Sequence, residues 1–533
     1  MEYLLDSVIT TFLLGITSLL FLYWYTTRNF DYWKKRGVIY SKPVPFFGST
    51  IELLWKPFHE IEDERYIRFG TLYGHFEGNN PVLSVADPKL LREILVKEFS
   101  SISSRRFFNA GTGNPVSDSM LPALSGDAWR RVRNIITPTF TTGKIKRMMS
   151  IVKDCSKGVV DNFKTFSANG KHLDMKKMYG AFTMDVIASA AFSTKVDSLN
   201  DPENEFVKAG KNAFSTDFSW RFALFQLFPN LMKALRVPIF PPDPIEFFKR
   251  VTIRIIEERK RTGQTRNDFL QLLIDTAKEV SQDHKQEEEK ADAITAGYEV
   301  DGRSQQPVKT SNVKNLSEDE MVAQCVIFFL AGYDTTASAL SYASYLLALN
   351  PEVQDKLFAE IRDTVKEAKG ELSYEAIQEM KYLDNVIAET LRIYPPVIRL
   401  ERVADADLKL ADTGITIPKG MIVTIPNYAL QKDPKYFPNP DVFDPDRFTV
   451  EERAKRDPYT YLPFGAGPRN CVGMRFALME IKVCLVYIVS NFKLLRCTQT
   501  KVPLDFHLGP GLLIPYKGIQ LKVEPRDDKI VLK

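Results

Sequence analysis

Hydrophobic and polar positions divide the chain into unequal parts. Ser7 to Thr27 carries no charge over 21 residues and contains the run Leu19-Leu20-Phe21-Leu22-Tyr23-Trp24-Tyr25. A helix of that length, at ~1.5 Å per residue, spans the roughly 30 Å hydrocarbon core of a bilayer. The alternative is a cleaved signal peptide. Against it, the stretch is longer than a signal core, no small-x-small site follows, and aromatics crowd its end. Acidic Glu2 and Asp6 precede the stretch, while Arg28, Lys34, Lys35 and Arg36 follow it. That charge bias puts the N-terminus outside and the remainder on the cytoplasmic side. Residues 1–28 are therefore expected to form a single-pass anchor. Residues 29–48, basic and stiffened by Pro43-Val44-Pro45, are expected to form a hinge, with 49–533 as one globular domain.

Beyond residue 50 the periodicity is mainly helical, which predicts a mainly α domain with a small β region. Short alternating stretches at Gly74–Val85, with Asn79-Asn80-Pro81 as the turn, and at Leu408–Val423 read as small sheets. Residues 281–317 are polar, contain Glu287-Glu288-Glu289 and lack apolar periodicity, so they read as a solvated, mobile loop. The loop ends in Ser317-Glu318-Asp319-Glu320, a capping box ahead of an apolar run. A long helix should start there and stop at Asn350-Pro351, where the next one begins. Asn315-Leu316-Ser317 is a glycosylation sequon that a cytoplasmic location would leave unmodified.

Composition removes several classes of protein. The 533 residues carry 71 Lys+Arg against 67 Asp+Glu and are 44% hydrophobic. These values exclude disordered and collagen-like chains, and a net charge of +4 gives no reason to expect nucleic acid. The five cysteines (155, 325, 471, 484 and 497) include no CxxC pair, which disfavours a disulfide scaffold or a zinc site. Cys325 and Cys484 fall in apolar helical patterns and read as packing residues.

Candidate chemistry concentrates at Phe464-Gly465-Ala466-Gly467-Pro468-Arg469-Asn470-Cys471-Val472-Gly473. An isolated cysteine is usually a small buried hydrophobe. This one sits between glycines, after an arginine, in a loop that leads into the helical pattern Met474–Val489. The glycines let the backbone turn tightly, approach a flat ligand and aim N–H groups at a sulfur. A thiolate held in this way is a soft, electron-rich metal ligand.

At this point the sequence resembles the cytochrome P-450 family of haem-thiolate monooxygenases, over most of the chain after the anchor. The resemblance implies the cytochrome P-450 fold, with 49–533 as a haem-thiolate catalytic domain holding haem b. Cys471 would be the proximal ligand to the iron, with Phe464 packed near the sulfur and Arg469 paired with a haem propionate. Glu389-Thr390-Leu391-Arg392 could by itself be a surface ion pair at i, i+3. It matches the family's ExxR helix, and Arg447, in Phe443–Phe448, supplies the third member of a structural triad. Trp129 and Arg133, at i, i+4, could be simple cation–π packing. By resemblance they act on the propionates, as do Arg105 and Arg402 in the 3A-type branch.

Ala331-Gly332-Tyr333-Asp334-Thr335-Thr336 lies within the long helix. Small residues there could be a helix-packing notch, or could make room for a ligand and let the hydrogen-bond ladder open. Asp334 and Thr335 match the family's acid–alcohol pair, in which the alcohol holds a water and the acid relays protons. The implied reaction inserts one oxygen atom of O2 into a lipophilic steroid, terpenoid or xenobiotic. Electrons would come from NADPH through a flavoprotein reductase, with cytochrome b5 as a further candidate partner, at the endoplasmic reticulum membrane. By resemblance, Phe107, Phe108, Ser119, Phe214, Phe218, Ile327, Leu330, Ala331, Val397, Ile398 and Leu512 line the substrate pocket. Arg130, Arg131, Lys144, Lys146, Arg147, Arg475 and Lys482 are candidates for the reductase-docking face. A peroxide isomerase of the same fold and a non-catalytic haem-thiolate sensor are the alternatives. The AGYDTT, ETLRIYPPVIRLER and PFGAGPRNC stretches are closest to the 3A-type and thromboxane-synthase branch. The chain departs from that branch in the longer 281–317 loop, in Asp334 where Glu is usual, and in Leu330 where Phe is frequent. These departures leave loop contacts and pocket shape open.

Overall fold

The computed structural model describes residues 2–106, 114–168, 171–213, 221, 224–225, 228–238, 241–279, 298, 316–509 and 511–533. It begins with helix α1 (Glu2–Thr27). The apolar part of α1, Asp6–Thr27, is 22 residues long and exposed up to Tyr25, with Thr26 buried at its end. The single-turn helix α2 (Tyr32–Lys35) and helix α3 (Phe58–Phe69) then lead into strands β1 (Leu72–Glu77) and β2 (Asn80–Val85).

The β1–β2 turn is shorter than the sequence suggested. Strand pairing runs up to Glu77↔Asn80, which leaves Gly78-Asn79 as a two-residue connection. Gly78 has φ 58°, the left-handed geometry that such tight hairpins favour. The expected hinge is also fastened to this hairpin rather than free. Trp33 is fully buried, and its indole N–H donates to the His75 carbonyl at 3.1 Å. A Cβ on Gly74 would lie 2.4 Å from the Trp33 ring, so only glycine admits that contact.

The helical body comprises α4 (Gly126–Ile136), α5 (Thr142–Ala168), α6 (Met175–Phe192), α7 (Pro242–Thr262), α8 (Glu318–Leu349), α9 (Pro351–Glu367) and α10 (Lys381–Ile393). Strands β3 (Leu400–Val403) and β4 (Ile422–Ile425) complete a four-stranded sheet in the order β1-β2-β4-β3. Helix α11 (Met474–Asn491) follows the cysteine loop, and β5 (Phe492–Leu495) and β6 (Gln520–Pro525) form a second sheet. Leu408–Lys409 pairs with Thr416–Ile417, so the predicted 408–423 region contributes a small hairpin and then β4.

Helix α8 is the axis of the core. Ser317 Oγ accepts the Glu320 N–H at 3.1 Å, and the Glu320 carboxylate accepts the Ser317 N–H at 2.8 Å. This is the capping box read from the sequence. Past the cap, α8 packs along α6, α7, α10 and α11 and is buried over most of its second half. The 281–317 segment lies mostly outside the described residues. Tyr298, 3% exposed, and Leu316 are described and belong to the main core, contrary to the reading of the whole segment as solvated.

Asp185, on α6, is half-buried and accepts the Ser198 N–H at 2.9 Å. Burial pushes its pKa from 3.8 up to about 6, only partly offset by that hydrogen bond. The folded state therefore holds this proton more tightly than the unfolded chain. The favourable contribution is complete below pH 3.8 and is lost as pH rises through about 6. Asp185→Asn preserves an acceptor without the charge. Its apparent unfolding temperature should exceed that of the parent protein at pH 7, and the difference should fade toward pH 4. A pH-independent difference would assign the effect to packing.

Candidate haem site

The loop before α11 is shaped by two glycines with positive φ. Gly465 and Gly467 both have φ 71°, and a Cβ on Gly467 would lie 1.9 Å from the Leu95 carbonyl oxygen. The Cys471 N–H donates to the Phe464 carbonyl at 2.9 Å and the Asn470 N–H to the Gly467 carbonyl at 2.9 Å, closing the loop on itself. Cys471 is the exposed cysteine of the five, whereas Cys325 and Cys484 are buried as expected. Its surroundings act on the thiol in opposite directions. Enclosure by protein raises the pKa, while the Gly473 N–H and the guanidiniums of Arg133 and Arg105 lower it. Cys471 thus combines an exposed side chain with the nearby guanidiniums of Arg133 and Arg105.

Four arginines surround this loop. Arg105 donates to the Arg469 carbonyl at 2.7 Å. Arg133 donates to the Asn470 carbonyl at 3.1 Å and to its side-chain oxygen at 2.7 Å. Arg469 donates to the Leu124 carbonyl at 2.6 Å, and its guanidinium lies 4.4 Å from the centre of the Trp129 ring. Arg402, buried on β3, donates to the Glu401 carbonyl at 2.8 Å. The WxxxR pair therefore meets the cysteine loop at two points, Trp129 through Arg469 and Arg133 through Asn470.

This cluster is electrostatically unbalanced. Burial, followed by repulsion from Arg105, Arg402 and Arg133, pushes the Arg469 pKa far down. Burial and Arg105 do the same to Arg402. Guanidiniums nonetheless keep their protons, so the imbalance calls for anions. Arg402 Nε and Nη2 and Arg469 Nε are buried without a hydrogen-bond partner. Such donors fit carboxylates. A thiol and convergent arginines around one loop form a donor set that suits an iron porphyrin bearing two propionates. Phe464 is half-buried beside the loop. Its ring meets the Tyr298 ring edge-on, with centroids 5.5 Å apart, a contact that nothing in the surrounding polar sequence announced.

On α8 the small-residue stretch behaves differently from the expectation of a locally opened ladder. The helix is continuous from Glu318 to Leu349, and the Thr335 hydroxyl donates to the Ala331 carbonyl at 2.7 Å. Ala331 is exposed although the helix around it is largely buried. Gly332 serves as a packing notch, since a Cβ there would lie 2.8 Å from Ile187 Cδ1 on α6. Asp334 is not bonded to Thr335. Lys176 Nζ on α6 donates to Asp334 Oδ1 at 2.7 Å, to its carbonyl at 3.0 Å and to Ser338 Oγ at 2.7 Å. Asp334 Oδ2 is left buried and unpartnered. Lys176 was not legible as part of the site, because it lies far away in sequence.

Among the pocket candidates, Val397 and Leu512 are brought together by an antiparallel β-bridge. The Ser119 carbonyl accepts the Gln324 amide at 2.8 Å, next to the start of α8. Ile327 is half-buried, and Leu330 and Ile398 belong to the core. Phe107, Phe108, Phe214 and Phe218 lie outside the described residues. One docking candidate is corrected. Lys482 is fully buried and paired with Asp384 at 2.5 Å, because α11 is apolar on all sides and turns it inward. Arg131 is engaged by Glu320 and Lys146 by Glu375.

The triad forms as anticipated. Arg392 Nε and Nη2 donate to the two Glu389 oxygens at 2.7 and 2.8 Å, with both residues fully buried. Arg447 Nε lies 3.3 Å from Glu389 Oε1, which also accepts the Asp444 N–H at 3.1 Å.

The fold and this donor set define a haem-binding oxidoreductase. Residues 40–523 match the family described as Cytochrome P450, and the chain belongs to that family. Over 538 residues, covering 99% of both chains, it is 40% identical to cytochrome P450 3A9 of Rattus norvegicus. It is likewise 40% identical to cytochrome P450 3A13 of Mus musculus, and 38% identical over 537 residues to cytochrome P450 3A5 of Homo sapiens. The protein is a haem b monooxygenase of the 3A-type branch.

Removing one member of a buried ion pair strands the other, at a cost of about 3–5 kcal/mol. Glu389→Gln should therefore sharply lower the unfolding temperature and the yield of haem-loaded protein. Wild-type stability would show that solvent or another group can replace this carboxylate.

Proposed function

We propose that the protein is a membrane-anchored monooxygenase acting on lipophilic substrates such as steroids, terpenoids or xenobiotics, with electrons delivered from NADPH by a flavoprotein reductase. The observation that carries this reading is the accessible Cys471 sulfur on its glycine loop, set among buried arginines. In this reading Cys471 ligates the iron, and Arg105, Trp129, Arg133, Arg402 and Arg469 hold the haem carboxylates, directly or through the loop. Bound haem supplies the activation of O2. The remaining work falls to the chain. The Thr335 hydroxyl exchanges its Ala331 carbonyl partner for a water and positions that water for proton delivery. Asp334 passes protons from its unpartnered Oδ2 while Lys176 holds Oδ1. The apolar positions Ile327, Leu330, Val397, Ile398 and Leu512, with Ala331 between them on α8, exclude bulk water and accept an apolar substrate.

Helix α1 would place the domain at the cytoplasmic face of the endoplasmic reticulum, with Arg28 and the basic residues after it on that side. Its 22-residue apolar part is about 33 Å long at about 1.5 Å per residue, enough to cross a bilayer. Arg130, Arg131, Lys144, Lys146, Arg147 and Arg475, ion-paired or not, are the basic candidates for steering an acidic reductase or cytochrome b5.

The test is reconstitution with an NADPH-dependent reductase in lipid vesicles, followed by a screen of steroid, terpenoid and xenobiotic substrates. Oxygenated product that requires NADPH, reductase and O2 is expected. Turnover of a peroxide without NADPH would instead support an isomerase, and haem binding without any turnover would support a sensor.

Two substitutions probe the roles of individual residues. Cys471→Ser should abolish the thiolate-type carbon monoxide Soret band and activity together, because a neutral hydroxyl is a poor iron ligand. Retention of that band would remove Cys471 as the ligand. Thr335→Ala should divert NADPH electrons into hydrogen peroxide, with product formation falling by about 10²-fold or more, the scale of losing a positioned acid–base group. Unchanged coupling would reduce Thr335 to a helix-packing residue.

A further inference from the structure

Behind the arginines that face the cysteine loop lies a second layer of buried charge. Glu77, at the end of β1, is fully buried and receives Arg106 on one side and Arg399 on the other, the latter at 2.8 Å. Glu401 receives Arg106 at 2.7 Å, and Arg399 also lies 3.8 Å from Glu62. Burial works against the Glu77 carboxylate, but Arg106 and Arg399 hold its pKa well below the usual carboxylate range.

The sequence positions of these partners matter. Arg106 follows Arg105, and Arg399 lies three residues before Arg402 on the segment that becomes β3. The two segments are joined by a β-bridge between Ser104 and Val403, with the Val403 N–H donating to the Ser104 carbonyl at 2.8 Å. Extended chain sends successive side chains to opposite faces. One face carries Leu400 and Arg402 toward the cysteine loop, where Leu400 Cδ1 comes within 3.9 Å of a Cβ built on Gly465. Arg105 also points there, bonded to the Arg469 carbonyl. The other face carries Arg399, Glu401 and Arg106 toward Glu77. Glu77 thus clamps both arginine-bearing segments from behind, beside Glu401, which joins them directly.

We infer that Glu77 is a positioning residue for the haem-carboxylate arginines, fixing Arg105 and Arg402 by holding their neighbours Arg106 and Arg399. The inference rests on the haem-thiolate reading above. Removing the carboxylate leaves Arg106 with Glu401 and Arg399 with the more distant Glu62 and Glu401, so the two guanidiniums repel one another in a buried space and their segments lose one of the ties behind them. Residues behind a metal-binding shell act in this way on affinity without touching the bound group.

The experiment compares holoprotein carrying Glu77→Gln, Glu77→Asp or Arg399→Met with the parent. Haem transfer to excess apomyoglobin and the ferric/ferrous midpoint potential are measured. A remote core truncation, Ile361→Ala on α9, serves as the reference for lost stability. Glu77→Gln and Arg399→Met should accelerate haem transfer by roughly 10- to 100-fold and shift the potential. Glu77→Asp should retain most of the parent behaviour. Should Glu77→Gln fail to fold, the same expectation is read from Arg399→Met, in which Glu77 keeps Arg106. Equal haem-loss rates in these variants and in Ile361→Ala at matched unfolding temperature would overturn the inference, as would an unmoved potential. A parent protein lacking the thiolate-type carbon monoxide band would instead overturn the haem-thiolate reading, so the two failures are distinguishable.

Discussion

A guanidinium taken out of water keeps its charge, and the cost of leaving it unmatched reaches several kcal/mol. Much of this domain is organised around that constraint. At two buried points of the scaffold, carboxylates meet arginine directly. Glu389 takes both donors of Arg392, which also reaches the Gln431 and Pro440 carbonyls. Arg259 is buried against Asp268 and Gln271. Around Cys471 the balance is deliberately incomplete. Arg105, Arg133, Arg402 and Arg469 are held mainly by carbonyls and the Trp129 ring, with donors of Arg402 and Arg469 unsatisfied. The same residue type thus locks one part of the molecule and prepares another to receive acids.

The glycines of the cysteine loop answer a different demand of the same site. Gly467 comes so close to the Leu95 carbonyl that any side chain would force the two segments apart. Close approach fixes the loop without relying on side-chain packing, and so leaves the Cys471 sulfur accessible. Helix α8 is seated by a similar device. Gly332 lets α8 seat against Ile187 of α6, and that contact sets which way Ala331 and Thr335 face. The packing notch and the ligand space, which the sequence offered as competing explanations, occupy adjacent residues and depend on each other.

Local signals were legible before the structure. The Ser317–Glu320 capping box, the proline after Asn350, the glycine spacing around Cys471 and the Glu389/Arg392 periodicity all rest on interactions within a few residues. What escaped the sequence rests on contacts that span hundreds of positions or invert a local expectation. Lys482 looks like a surface cation among charges, yet a helix apolar on every side carries it inward to Asp384. Asp334 looks like the partner of Thr335, but adjacent helical side chains diverge by about 100°, which turns it toward Lys176 on α6. Tyr298 stands in a polar segment whose composition gave no sign that one ring would reach Phe464. Composition averages over such single anchoring residues.

The β1–β2 hairpin links these local solutions. Its turn residue Asn79 donates to the Tyr25 carbonyl at the end of α1 at 3.0 Å, and its own carbonyl accepts the Asn29 amide at 3.1 Å. Four residues before that turn begins, Gly74 receives the Trp33 ring. At the end of β1, Glu77 grips Arg106 and Arg399. Alternation along a strand explains how six residues serve such different neighbours, since odd and even positions open on opposite faces. The hairpin is therefore a mount shared by the apolar N-terminal helix and by the arginine segments of the haem site. The segment read from sequence as a Pro-stiffened hinge is held at Asn29 and Trp33. The orientation of the globular domain relative to α1 is consequently set by two asparagine side-chain amides on backbone carbonyls and one buried indole, rather than by the stiffness of Pro43 and Pro45 alone.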